Sequence, residues 1–119
     1  MVENKSVLKV KSYDFALRVV KLSQFLVLEK KEFVLSKQVL RSGTAVGALI
    51  REAEFGQSKL DFISKMSISL KEANETNYWL NLLKDSGYLS VTEFESLEKD
   101  CLELIKLLVA TVKTSKMGK

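Results

Sequence analysis

The stretch Gln38-Val-Leu-Arg-Ser-Gly-Thr-Ala-Val-Gly-Ala-Leu-Ile-Arg-Glu-Ala-Glu54 decides the fold. Its apolar residues recur with the period of an amphipathic helix, yet Gly43 and Gly47 stand in the middle of it. A glycine inside a helix costs about 1 kcal/mol relative to alanine. Two glycines four residues apart therefore predict that another helix packs very closely against this one.

The rest of the chain is also typical of helices. It contains no proline and only five glycines in 119 residues, so helices can continue without interruption. We predict helices at about 12–29, 33–55, 59–86 and 91–113, in one domain that spans residues 1–119. Ser58 and Ser90, each three residues before an acid, cap the third and fourth helices, and Gly87 ends the third. Because the connections are short, these helices predict an all-α, up-down-up-down antiparallel four-helix bundle.

The first helix has apolar residues on two opposite faces. Tyr13, Leu17 and Val20 lie on one face, and a second apolar set lies across the helix from them. A bundle helix needs only one apolar face, so the second predicts burial against another molecule. We expect a homo-oligomer and assign to its interface Phe15, Val19, Leu22 and Leu26. The alternative is a wide core face with a few exposed aliphatic residues.

Charged residues of the second and third helices fall opposite one another. Antiparallel pairing places Arg41 level with Glu72 and Glu75. We predict a buried interhelical ion pair or network, which would set the register of the helices more than add stability. The two glycines beside it would let these helices approach. The residues with structural roles are then Arg41, Gly43, Gly47, Glu72, Glu75 and Trp79. The functional alternative is a carboxylate metal site.

Residue types that support most enzyme mechanisms are missing. The chain has no histidine and one cysteine, which excludes His-based acid–base catalysis, Ser-His or Cys-His nucleophiles and structural zinc sites. No glycine-rich phosphate loop occurs. Glu72 and Glu75 with Glu95 and Glu98 faintly resemble magnesium-dependent nucleotide pyrophosphatases, but Glu98 lies roughly 6 Å and Glu95 roughly 10 Å off the level of Glu75. We therefore predict no catalytic residue, no metal and no cofactor.

The chain lacks the marks of membrane insertion and export. No window approaches 18 consecutive apolar residues, and the first five residues lack the apolar core of a signal peptide. The single cysteine, Cys101, permits no internal disulfide. We expect a cytoplasmic protein without membrane contact.

Basic residues gather at one end of the predicted bundle. The net charge is +4, and the start of the first helix, the second turn and the end of the fourth helix share this end. The residues that we expect to bind nucleic acid are Lys9, Lys11, Arg51, Lys59, Lys113 and Lys116. Clustered cations attract RNA or DNA. The alternative interpretation is that these cations only increase solubility and balance the helix dipoles. Aromatic side chains that would stack on unpaired bases are not evident there.

Three segments resemble a known family. Gln38-Val-Leu-Arg-Ser-Gly-Thr-Ala-Val-Gly-Ala48 resembles the second-helix signature of the bacterial 23S rRNA-intervening-sequence proteins. The segment Asp61-Phe-Ile-Ser-Lys-Met-Ser-Ile-Ser-Leu-Lys-Glu-Ala-Asn-Glu-Thr-Asn-Tyr-Trp-Leu80 is similar to that family's third helix. Leu83-Lys-Asp-Ser-Gly-Tyr-Leu89 is similar to its third turn. The resemblance covers about residues 9–112, and Leu49 stands where the family often has asparagine.

This resemblance implies a four-helix bundle that assembles as a ring, a homopentamer. It also implies kinship with the accessory variability determinant proteins of diversity-generating retroelements, and hence a reverse transcriptase as partner. Our first hypothesis is a non-enzymatic, oligomeric protein associated with RNA or DNA. The second is a protein-interaction scaffold without nucleic acid, and the third is a carboxylate-magnesium nucleotide hydrolase.

Overall fold

The computed structural model describes residues 2–118, with side chains described from residue 7 to residue 118. The helices are α1 (Val2–Leu28), α2 (Leu35–Glu54), α3 (Lys59–Asp85) and α4 (Val91–Lys116). Both α1 and α3 pack against α2 and α4, which gives an elongated bundle of 47 × 22 × 19 Å. No strand occurs within residues 2–118, in agreement with the predicted all-α four-helix architecture. No helix in this range has the length and apolar character that crossing a membrane requires.

The start of α1 differs from its predicted position. The helix begins at Val2 rather than near residue 12. Nothing between these positions breaks a helix, because the segment has neither proline nor glycine. Leu8 is fully buried in the core, so this early part of α1 is held by packing and not by helix propensity alone. The remaining helices begin and end close to the predicted residues.

Local capping interactions set the ends of α3 and α4. The Oγ of Ser58 accepts a hydrogen bond from the amide of Asp61 at 3.0 Å. The Oγ of Ser90 accepts one from the amide of Glu93 at 3.1 Å. Gly87 follows α3 with φ +85°, a conformation that glycine adopts without strain. The predicted caps are therefore confirmed, and each one acts within a single helical turn.

The inward face of α1 is opposite to the expected one. The residues that the sequence assigned to an oligomer interface are all buried in the bundle core: Phe15, Val19, Leu22 and Leu26. Tyr13 and Leu17 are instead 57% and 48% exposed, and Val10 and Val20 are exposed beside them. The interface assignment was wrong because helical periodicity reveals two apolar faces without showing which one meets the other helices. We call Val10, Tyr13, Leu17 and Val20 the outer face of α1.

Gly43 and Gly47 lie where α2 packs against α1. A Cβ built on Gly43 would lie 2.7 Å from Cγ1 of Val19, and one built on Gly47 would lie 3.2 Å from Oγ of Ser12. Carbon atoms prefer separations of about 3.5–4.0 Å, so only glycine fits at Gly43 without a shift of its neighbour. The close helix approach is confirmed, but its partner is α1 and not α3, because the glycines and Arg41 project from different sides of α2.

Polar contacts close the seam between α1 and α4. The Nη1 of Arg18 donates to Oδ2 of Asp100 at 2.7 Å, and its Nη2 donates to Oγ of Ser96 at 2.9 Å. Further along the seam, Nζ of Lys11 lies 3.3 Å from Oε2 of Glu103. These contacts of Arg18 were not predicted from the sequence, since its partners lie about 80 residues away in the chain.

Candidate nucleic-acid interface

One end of the bundle combines the termini of all four helices. Here α1 and α3 begin, and α2 and α4 end. Lys9 of α1 reaches Glu54 of α2, with Nζ 3.3 Å from Oε1. Lys59 of α3 lies beside the end of α4, because a Cβ built on Gly118 would be 3.8 Å from its Nζ. We call this surface the basic end, defined by Arg51, Lys59, Lys113 and Lys116.

The cations predicted to bind nucleic acid are not equally available. Lys9 is paired with Glu54, and Lys11 lies in the seam between α1 and α4, paired with Glu103. Lys59 is exposed at the basic end. The predicted residues that are exposed and form no ion pair with residues 7–118 are Arg51, Lys113 and Lys116. Tertiary contacts thus reduce the predicted set of six to a smaller group at one end.

Carboxylates near the basic end are engaged by other lysines. The Nζ of Lys65 lies 3.6 Å from Oδ1 of Asp61 and 4.0 Å from Oε1 of Glu52. Glu54 is the partner of Lys9. One lysine thus serves two carboxylates, Glu52 and Asp61, while Arg51 pairs with neither and its exposed side chain stays accessible to an anion from solution. Uncompensated cations on one surface raise the local concentration of polyanions.

Apolar side chains protrude among the cations of this end. Phe55, the C-cap residue directly after α2, is 76% exposed, and Leu60 and Met117 are exposed to a similar extent. No aromatic residue for base stacking was predicted at this end, so Phe55 is an additional candidate that the structure reveals. One feature of the sequence could have indicated the exposure of Phe55. This aromatic residue stands directly before Gly56, at the predicted second turn and outside the apolar stripe of α2.

Two grooves meet at Arg51. The larger has a volume of about 960 Å³, lies between α2 and α3 and includes Phe55, Gln57 and Lys65 in its wall. The smaller has a volume of about 320 Å³, lies between α1 and α2 and includes Tyr13 in its wall. Arg51 contributes to both grooves. A cation in this position is accessible to an anion from two sides.

Arg41 joins α2 to α3 away from the basic end. Its Nη1 donates to Oε1 of Glu72 at 3.2 Å, and its Nη2 donates to Oε2 of Glu75. The indole Nε1 of Trp79 donates to the same carboxylate oxygen at 3.0 Å. The predicted pairing of Arg41 with these glutamates is confirmed. The Arg41 side chain is nevertheless 51% exposed, so the network lies on the surface of the bundle and not inside it.

The network changes the titration of its members. The hydrogen bond from Trp79 is the largest cause that lowers the pKa of Glu75, and Arg41 lowers it further while burial opposes both. The hydrogen bond to Glu75 is the main cause that raises the pKa of Arg41. Both groups are therefore charged at neutral pH, and the carboxylate is already engaged by two donors.

The described residues offer no assembled metal site. Among the side chains of residues 7–118, no three from aspartate, glutamate or cysteine gather where they could hold an ion. Glu72 and Glu75, the carboxylates of the alternative metal site, are bound to Arg41. A guanidinium at this position supplies the positive charge that a metal would otherwise bring.

Known proteins resemble this chain in sequence and in fold. The family model described as 23S rRNA-intervening sequence protein matches residues 4–110. A solved structure of a protein with unknown function from the S23 ribosomal protein family, from Bacteroides thetaiotaomicron VPI-5482, is 55% identical. The alignment covers 92% of this chain and 98% of that chain, with a TM-score of 0.91. No match was found among curated proteins. Because the family model spans most of its length, the chain belongs to the 23S rRNA-intervening sequence protein family.

Proposed function

We propose that this protein is a non-enzymatic oligomer that associates with RNA or DNA through its basic end. The observation that supports the proposal is that three exposed cations of the basic end, Arg51, Lys113 and Lys116, have no acidic partner within residues 7–118. The acids beside them pair with other lysines. Neutralising phosphates with such cations releases counterions, which provides sequence-independent affinity.

The opposite end of the bundle carries acidic side chains. α4 begins there with Glu93, Glu95 and Glu98, and Asp85 ends α3. Lys30 and Lys31 also lie at that end, and Lys84 pairs with Asp85, so its charges largely balance and attract a polyanion less than the basic end does. This polarity favours binding at the basic end over nonspecific coverage of the whole surface.

The outer face of α1 supports the oligomeric part of the proposal. Val10, Tyr13, Leu17 and Val20 are exposed and recur at alternating intervals of three and four residues, the spacing of a helix that packs against another helix. Covering this stripe with a second copy would remove apolar surface from water. A ring, the homopentamer that the resemblance implies, would bring several basic ends to one side and increase their combined attraction for a polyanion.

Salt-dependent RNA retention tests the proposal. We expect wild-type protein to bind a labelled RNA in fluorescence anisotropy, with affinity that falls steeply as salt rises. Lys113→Glu combined with Lys116→Glu should weaken binding and flatten the salt dependence. The matched control is Lys37→Glu combined with Lys99→Glu, which changes the net charge equally at exposed sites away from the basic end. Equal losses in both variants, or no binding by wild type at low salt, would contradict the proposal.

The alternative function is a protein-interaction scaffold without nucleic acid. The outer face of α1 favours it, since an exposed apolar stripe would accept a different protein as readily as a second copy. The reverse transcriptase implied by the retroelement resemblance is a partner of this kind. Under this alternative, substitutions on the outer face abolish complex formation and substitutions at the basic end do not.

A further inference from the structure

Phe55 occupies an unusual position for an aromatic side chain. It is the C-cap residue directly after α2, it is 76% exposed, and it forms part of the wall of the groove between α2 and α3. A large apolar side chain this exposed contributes little to the packing of the bundle. Its ring lies open to any flat apolar molecule that enters the groove.

Arg51 lies one helical turn before Phe55 and lines the same groove. It forms no ion pair with residues 7–118, while the two acids of the groove, Glu52 and Asp61, are held by Lys65. The groove therefore presents an available guanidinium on the last turn of α2 and an aromatic ring directly after the helix, about 6 Å apart along its axis by helix rise. Its volume of about 960 Å³ admits more than a single small ion.

We propose that this groove binds an unpaired nucleotide of single-stranded RNA, with the base stacked on Phe55 and the adjacent phosphate held by Arg51. The inference rests on the proposed function and makes it more specific. Aromatic rings stack on bases of any sequence, but only where the base is free of a duplex. Cations alone would bind single-stranded and duplex RNA by charge, so Phe55 adds a preference for unpaired strands.

An anionic membrane surface is the competing occupant, because Leu60 and Met117 also protrude near these cations. Membrane-surface proteins use a continuous apolar face of a helix that lies in the plane of the interface. In this bundle only the termini of the helices lie at the basic end, and the apolar groups exposed there are single side chains and not a continuous helix face. Phe55 also shares its groove with polar walls such as Gln57, which suits a nucleotide better than an acyl chain.

The test compares single-stranded and duplex RNA of the same length, about 12 nucleotides, within the range that such sites cover. Phe55→Ala should weaken binding of the single strand about tenfold, as expected for the loss of one stacked base, and leave duplex binding unchanged. Phe55→Trp should restore the single-strand preference. The matched control is Phe33→Ala, since Phe33 is 54% exposed at the opposite end of the bundle. Thermal unfolding verifies that each variant is folded.

The outcomes separate this inference from the proposed function. If Phe55→Ala binds the single strand as wild type does, while Lys113→Glu with Lys116→Glu loses binding, the stacking site is wrong and the basic end stands. If wild type binds neither RNA at low salt, both proposals are overturned. The groove would instead be assigned to a membrane by two results together. Wild type would sediment with vesicles that contain phosphatidylglycerol, and Phe55→Ala would lose this sedimentation while its RNA binding stays unchanged.

Discussion

The backbone of Gly43 lies directly against the side chain of Val19. A Cβ built on Gly43 would be 2.7 Å from Cγ1 and 2.8 Å from Cγ2 of Val19. Val19 is fully buried, so it cannot move aside into solvent. The packing of α1 on α2 therefore depends on the absence of a side chain at this position.

Gly43→Ala should destabilise the bundle more than Gly47→Ala. Alanine gains about 1 kcal/mol of helix propensity at either position. At Gly43, overpacking against Val19 should outweigh this gain for a net loss of about 1–2 kcal/mol. At Gly47 the nearest atom is the Ser12 Oγ at 3.2 Å, so we expect a small change. Urea unfolding of both variants gives the comparison.

A second substitution checks the cause. Val19→Ala removes the two methyl groups that a new Cβ would meet, so it should be less harmful in Gly43→Ala than in wild type. The prediction would be contradicted if the losses in free energy of unfolding of the two substitutions were additive, or if Gly43→Ala were as stable as wild type. Either result would show that the close approach of Gly43 to Val19 does not affect stability.

Leu17→Glu on the outer face of α1 should yield a folded monomer. The side chain is 48% exposed, so the charge is tolerated in one subunit but not in an apolar interface between subunits. Light scattering should show a multiple of 13.5 kDa for wild type and 13.5 kDa for the variant. Phe15→Glu should unfold the subunit instead, because Phe15 is buried.

The control for this prediction is Leu102→Glu on α4. Leu102 is 46% exposed, close to the value for Leu17, and lies on another helix. This variant should keep the wild-type mass. A wild-type protein that is already monomeric at micromolar concentration would contradict an interface on α1.

The Arg41–Glu75 pair should show a small coupling energy. For a buried pair, loss of one partner costs about 3–5 kcal/mol, but Arg41 is half exposed and Glu75 is partly so. We expect a double-mutant cycle of Arg41→Ala and Glu75→Ala to give about 0.5–1 kcal/mol. A value near zero would mean that the hydrogen bond from Trp79 orders Glu75 without help from Arg41.

The same carboxylate should make stability depend on pH in the acid range. The folded state lowers the pKa of Glu75, so its contribution is present above the unfolded value of about 4.3 and is lost as pH falls through the folded value. Glu75→Gln should thus be less stable than wild type at neutral pH, with a difference that shrinks below about pH 4.3. Glu95→Gln, at an exposed position without an ion pair to residues 7–118, serves as the control. A difference that is constant with pH would contradict the prediction.

Cys101 should resist thiol reagents in the native protein. Burial is the main cause that raises the pKa of its thiol to about 12, and the charges of Glu98 and Asp100 add to the effect. Because the thiolate is the reactive form, we expect negligible alkylation by iodoacetamide near pH 8, a little below the pKa of about 8.5 for a free cysteine. Concentrated guanidinium chloride should make labelling fast. Rapid labelling without denaturant would show that the core opens around α4.

The ends of the helices, and which residues of neighbouring helices lie side by side, could be predicted because both depend on short-range interactions. The caps at Ser58 and Ser90 act over three residues, and neither needs any knowledge of packing. The pairing of Arg41 with Glu75 followed from the short second turn, since a tight connection fixes which residues of two helices lie level. These features can be deduced from one or two neighbouring elements.

The candidate site was only partly predictable, because charge in a sequence does not show which partners a side chain meets. Lys9 and Lys11 are basic in sequence, but Glu54 and Glu103 from two other helices engage them. The exposure of Phe55 depends on where α2 leaves the core, which the apolar pattern of that helix alone does not define.

By itself, the sequence determined that α1 has two apolar faces, since periodicity is a property of a single helix. Only the tertiary structure decided which face turns inward. Both faces have comparable apolar character, so hydrophobicity does not separate them. The choice depends on shape: Gly43 leaves a space on α2 that the Val19 side chain fills, and close packing of this kind is a joint property of two helices. Leu17 on the other face is thereby left exposed.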